Sequence, residues 1–138
     1  EYHESDGEWT LLPDFDAITP KKTGVAKLVS IMSRDRNDRF GFRFRGFFKA
    51  PQDGVYSFHL KSNDGSRLAI HGETLIDNDG LHAVTEKSGM LALKAGLHPI
   101  EVTYFESGAS EALSLEYEGP GIARQRVPEE AFCHAPTP

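Results

Sequence analysis

Cysteine is almost absent from this sequence: Cys133 is the single one in 138 residues. An intrachain disulfide is therefore excluded, and a free, a buried and an intermolecularly paired thiol all stay open. Long apolar runs are missing as well, and none approaches the roughly 20 residues that a membrane helix needs. Positive charge is scarce, with 15 Lys and Arg against 21 Asp and Glu and a formal net charge of −6. Proteins that bind nucleic acid set clustered cations against phosphates. The densest basic stretch here, Arg34 to Arg45, is interrupted by Asp35 and Asp38. Neither nucleic acid nor membrane insertion is expected.

Catalytic signatures are missing too. There is no G-x-S-x-G, no P-loop, and no G-x-G-x-x-G after a strand. A cysteine nucleophile needs a positioned base in an electropositive setting, and Cys133 has only His134 beside it. His3, His59, His71, His98 and His134 show no metal spacing such as H-x-x-x-H on a helix. Acids are plentiful, but no two stand out as a glycosidase pair. The expectation is a protein that is not an enzyme.

What is present is ordinary globular composition, 38% hydrophobic and 26% charged, in a length that suits one domain. A domain near this size hides about two-thirds of its unfolded surface, so it needs no staples. Period-two alternation dominates. Phe40, Phe42 and Phe44 oppose Gly41, Arg43 and Arg45, and Tyr56, Phe58 and Leu60 oppose Ser57, His59 and Lys61. Leu68 and Ile70, Leu91 and Leu93, Ile100 to Tyr104, and Leu113 to Tyr117 continue the pattern, while Leu75-Ile76 leads into Asp77-Asn-Asp-Gly80. Turn residues recur every 8–12 positions or so, the spacing of a sandwich or barrel. The fold predicted is all-β, an antiparallel β-sandwich or barrel with few or no helices. Gly46 breaks the phenylalanine alternation and predicts a bulge. Residues 9–30 read as loop plus one strand near Val25 to Ile31. One domain is expected over residues 1–127, with 128–138 as a tail or linker into a larger protein. Glu1-Tyr2-His3 does not read as a signal peptide, so an export signal is expected to be removed or to lie outside these residues.

Four blocks, in order, resemble the anthrax protective-antigen domain family. Pro51-Gln-Asp-Gly-Val-Tyr-Ser-Phe-His-Leu-Lys-Ser-Asn-Asp-Gly-Ser-Arg-Leu-Ala-Ile-His-Gly72 is similar to that family's G-x-Y-x-F strand running into S-D-D-G-S-x-L-x-I-D-G. Leu75-Ile-Asp-Asn-Asp-Gly-Leu-His82 resembles the branch found in exported bacterial proteins. Lys94 to Glu106 and Leu113 to Gly121 also fit, so the likeness runs from about Phe40 to Gly121. It implies an antiparallel sandwich that serves as an accessory module on glycosidases, adhesins or toxins. It implies an extracellular, cell-surface or periplasmic location, with a glycan and the other domains of the same parent chain as partners. In the yeast flocculins and epithelial adhesins of this family, two adjacent aspartates bind calcium across a cis peptide, and the ion binds vicinal sugar hydroxyls.

Carried over residue by residue, the aspartate pair falls on Asn63 and Asp64. Asn63 keeps one side-chain oxygen but removes a charge. The resemblance implies Ca²⁺ as cofactor and a cis Asn63–Asp64 bond. Calcium takes about 6–8 oxygens, so a second loop must contribute; in the sugar-binding relatives it lies between the last two long strands, and the resemblance places it here on residues 106–111, which offer Glu106, Ser107, Ser110 and Glu111. Candidate metal ligands are Asn63, Asp64, Glu106 and Ser107. Candidate glycan contacts are Asn63, Asp64, Arg67, Asp77, Asp79, Glu106 and Glu111. Read only as residues, Ser62 to Ser66 make a turn, and Asp77 to Gly80 a turn whose carboxylates accept backbone N–H bonds. A second ion at Asp77 to Gly80 is the competing reading there. Arg67 pairs with these acids or is a solvated strand residue. His82 reads as a hydrogen-bonded histidine at the core edge, and Trp9 as packing. Two functions follow: a lectin-like accessory module, or a structural module docked on its parent without glycan affinity.

Overall fold

The computed structural model of the chain describes residues 1–31, 34, 38–108 and 111–133. Its strands are β1 (Tyr2–Asp6), β2 (Lys22–Gly24), β3 (Phe40–Ala50), β4 (Gly54–Asn63), β5 (Ser66–Ile70), β6 (Glu73–Asn78), β7 (Thr85–Leu93), β8 (Gly96–Glu106), β9 (Ala112–Gly119), β10 (Ile122–Arg126) and β11 (Phe132–Cys133). One sheet has the order β2-β1-β3-β8-β5-β6, with β11 also on β3; the other is β10-β9-β4-β7. Every pairing is antiparallel. Helical structure among the described residues amounts to two single 3-10 turns, Phe15–Ala17 and Glu129–Ala131. The all-β antiparallel sandwich expected from the alternation is what forms.

The two sheets meet through the residues that the period-two pattern selects. Phe40, Phe42, Phe48, Leu68 and Tyr104 of the larger sheet are fully buried, as are Tyr56, Phe58 and Leu60 of the smaller. Phe48 sits between them, edge-on to Tyr56, Phe58 and Tyr117 with ring centroids 5.2–5.8 Å apart. Such tilted pairs contribute about 0.5–1.5 kcal/mol each beyond burial. The opposite faces carry Arg43, Arg67, Glu101 and Thr103 on one sheet and His59, Glu86, Ser88 and Glu116 on the other. Trp9 and Phe15, 6.5 Å apart, lie against Gly41 on the outer face of the larger sheet, so Trp9 is packing.

Three local expectations are corrected. β3 pairs with β8 in unbroken register from Phe40↔Glu106 to Ala50↔Gly96, so Gly46 makes no bulge. A Cβ there would lie 2.8 Å from the Cys133 carbonyl oxygen, and the glycine instead lets β11 approach. Val25 to Ile31 form no strand: β1 takes Lys22–Gly24 as its edge partner, while Val29 and Ile31 are buried in the core. Their alternation reflected burial without pairing. The stretch from Pro128 is docked as far as Cys133, with Ala131 buried and Phe132 paired to Phe48. Residues 134–138 of the tail and Ser110 lie outside the described residues.

Candidate functional site

β4 belongs to the smaller sheet and β5 to the larger, so the Asn63-Asp64-Gly65 link crosses from one to the other at one end of the sandwich. Its polar residues are dictated by that crossing. The Asp64 amide donates to the Phe105 carbonyl (3.2 Å), and the Phe105 amide to the Gly65 carbonyl (2.9 Å). Tyr104 Oη donates to the Asn63 carbonyl (2.5 Å), and Ser62 Oγ to the Asp64 carbonyl (2.8 Å). Ser66 Oγ and Asn78 Nδ2 complete this buried set at 2.6 and 3.3 Å from Ser62 Oγ. Gly65 is needed for closeness: a Cβ would collide with the Phe105 ring and lie 2.7 Å from Asp79 Oδ1. The Asn63–Asp64 peptide bond is cis, as the resemblance implied.

Asp64 is buried, and its carboxylate ties three loops together. Oδ1 accepts from the His82 amide (3.2 Å) and Oδ2 from the Ser107 amide (2.9 Å). Around it Asn63, Leu81, His82, Ala83, Ser107 and Gly108 line an open surface depression. Two of its walls, the 63–64 and 107–108 segments, are the loops that the sequence pointed to. The third, Leu81 to Ala83, carries no ligand-type spacing, and only its place beside the polar run 77–80 hinted at it. The His82 ring nitrogens lie 2.7 Å from the Asn78 carbonyl oxygen and 2.8 Å from that of Ala83, so His82 is a hydrogen-bonded residue at the rim.

Glu106, at the end of β8, is fully buried. Its Oε1 accepts from the Gly108 amide (2.6 Å), while Oε2 has no hydrogen-bond partner among the described residues. Burial pushes the carboxyl up to about 7, and the charges of Asp64, Asp38 and Glu111 add to that; the Gly108 bond pulls the other way. Glu111 is held by Arg34 at 3.0 Å.

Arg67, Asp77 and Asp79 are placed elsewhere. Asp77 Oδ1 accepts from the Asp79 amide (3.1 Å), and Asp79 Oδ1 from the Gly80 and Leu12 amides (both 2.8 Å). Arg67 Nη2 stands 3.6 Å from Asp79 and 3.9 Å from Asp77. These acids close a turn and anchor the Leu12 segment. None of the three lines the depression.

The oxygen-rich chemistry of Asn63, Asp64 and Glu106 suits a hard cation such as calcium. The orphaned Glu106 Oε2 is an acceptor that a cation would satisfy. Among the described residues no group of three or more His, Cys, Asp or Glu is placed to hold a metal, so water, carbonyl or ligand oxygens must complete any shell.

A PA14 domain family model matches residues 11–131. No curated protein matches. An anti-sigma factor domain-containing protein from Clostridium clariflavum is 26% identical, with a TM-score of 0.80 over 97% of this chain and 47% of that one. A PA14 sugar-binding domain from an RTX adhesin is 23% identical, with a TM-score of 0.63 over 70% of this chain and 55% of that one. An epithelial adhesin A domain from Candida glabrata, solved in complex with Galb1-4GlcNAc, is 12% identical, with a TM-score of 0.58 over 67% of this chain and 50% of that one. The last two likenesses show the fold alone. The chain spans about half the length of each of these three structures.

Proposed function

The chain belongs to the PA14 domain family, and from that premise we propose that it is a non-catalytic carbohydrate-binding module of a larger secreted or surface protein. The observation that carries this reading is the convergence of the Asn63-Asp64 and Ser107-Gly108 loops on one open depression. The sugar-binding and glycan-complexed neighbours support it. Asn63, Asp64, Glu106 and Ser107 would hold a calcium ion, whose chemistry there is to offer coordination positions to two adjacent sugar hydroxyls. Leu81 and Ala83 supply an aliphatic wall for the apolar face of a sugar ring, and Asp64 positions all three loops. With Asn63 in place of a second aspartate, calcium affinity is weak, since ligand charge tunes it.

A structural or docking module without glycan affinity is favoured by one observation: both Asp64 oxygens already accept backbone N–H bonds. Titration of the domain against a glycan array, in calcium and in EDTA, separates the two. Asp64→Asn keeps one acceptor oxygen and removes the charge. Calcium-dependent retention that this variant abolishes supports the lectin. No retained glycan, together with an unchanged response in Asp64→Asn, supports docking.

A further inference from the structure

The outer face of the larger sheet carries a second polar feature, on a different side of the fold from the depression. Arg43, Thr103 and Arg67 are direct cross-strand neighbours on β3, β8 and β5. Alternation puts them on the face turned away from the core. Glu101 and Ala69 form the next row, Glu101 pairing with Ala69 on one side and Arg45 on the other. The segment Leu12 to Asp16 walls this floor at one end, giving a cavity of about 210 Å³. Glu101 and Ala69 also line an adjoining cavity that runs to Gly72 and Pro99. Sharing Ala69 and Glu101, the two make one trench, and the four strand steps from Thr103 to Pro99 give it a length of about 13 Å.

Arg43 marks the trench as more than a solvated face. It is only 9% exposed, and its Nε has no hydrogen-bond partner among the described residues. Its guanidinium is fixed by Asp16 through Nη1 (2.6 Å) and by the Phe15 ring at 6.0 Å. A buried donor left unmatched costs roughly 1–3 kcal/mol, and such a group calls for an explanation. A ligand oxygen in the trench provides one.

The lining also says which ligand. The guanidiniums of Arg43, Arg67 and Arg45 and the Thr103 hydroxyl donate; Glu101, Asp14 and Asp16 accept. With three carboxylates against three guanidiniums, the lining carries no net charge and favours neither an anion nor a cation. Donors and acceptors interleaved on a small-residue floor suit hydroxyl groups, each of which both donates and accepts. An extended, open trench suits a chain better than a single ring.

We propose that the outer face of the β3-β8-β5 sheet is a second glycan site, taking a linear chain of uncharged sugars. It works without calcium and independently of the Asn63-Asp64 depression. The test is amide chemical-shift mapping of the isotope-labelled domain in EDTA, which silences any calcium-dependent site. The probes are neutral glucan, mannan, galactan and xylan oligosaccharides, their monosaccharides, and an oligouronate. For at least one neutral chain, shifts are expected at residues 12–16, 67–69 and 101–103. A tetrasaccharide should bind about tenfold more tightly than its monosaccharide. Ala69→Leu, which fills the floor, and Glu101→Ala, which removes an acceptor, should each weaken that binding about tenfold; unchanged spectra elsewhere confirm that both fold. Shifts confined to residues 63–64, 81–83 and 107–108, binding of the oligouronate alone, or no shift with any probe each overturn the proposal. None of those results bears on calcium-dependent binding at the depression.

Discussion

Replacing Glu106 with glutamine should stabilise the domain above neutral pH and leave it nearly unchanged in mild acid. The carboxyl is fully buried, and its folded-state value is about 7 against an ordinary 4.5. The folded protein therefore binds a proton more tightly than the unfolded chain does. Stability from this group is fully present below about pH 4.5 and is lost as pH rises through 7. At about 1.4 kcal/mol per pH unit, an interval of about 2.5 units amounts to about 3 kcal/mol as a ceiling. Glutamine keeps an acceptor for the Gly108 amide and cannot ionise. Urea denaturation followed by Trp9 fluorescence, at pH 5 and at pH 8, measures the difference. The wild-type protein should lose up to about 3 kcal/mol between the two, or about 10 °C in Tm, and the variant far less. Millimolar calcium at pH 8 should restore the wild type but not the variant, because an ion beside Oε2 stabilises only the carboxylate. Parallel pH dependence in the two proteins would refute the reasoning, since the charge on Glu106 would then not be what burial penalises.

Other consequences are checked with simpler measurements. Phe58→Ala removes a fully buried ring from the aromatic cluster around Phe48 and should cost about 3–5 kcal/mol by thermal or chemical denaturation. Asp64→Ala leaves the His82 and Ser107 amides without their acceptor, and should cost about 1–3 kcal/mol and speed hydrogen exchange at both. Gly65→Ala should cost about 1–3 kcal/mol through the clash with Phe105, and any calcium response should be lost with it. Gly46→Ala pushes the Cys133 carbonyl away, so labelling of the Cys133 thiol should become faster while the core strands stay protected.

Much of the architecture is written in local pattern. A period of two chooses which residues of Phe40 to Phe44, Tyr56 to Leu60 and Leu113 to Tyr117 face inward, and that choice needs no knowledge of the partner strand. The polar run Ser62 to Ser66 was legible as a loop for the same reason. The short strands outside that alternation were not. β1, β10 and β11 are short, and Ile122 to Arg126 holds a single large apolar residue, so their pairing rests on a neighbour's free edge rather than on periodicity. Gly46 illustrates the limit: its sequence context spells a bulge, and only the approach of Cys133 explains it.

The site divides along the same line. The residues of Ser62 to Ser66 marked a polar turn, and the family resemblance singled out Asn63, Asp64 and the 106–111 loop as oxygen-bearing. Tertiary structure decided that Leu81 to Ala83 forms the third wall and that both Asp64 oxygens hold backbone amides. It also decided that Arg67 faces a trench on another side, and that Glu106 is sealed from water. The physical reason is that side-chain type and alternation act over a few residues. The partners of a carboxylate depend on segments brought together across the chain: the His82 and Ser107 amides on Asp64 come from 18 and 43 positions away.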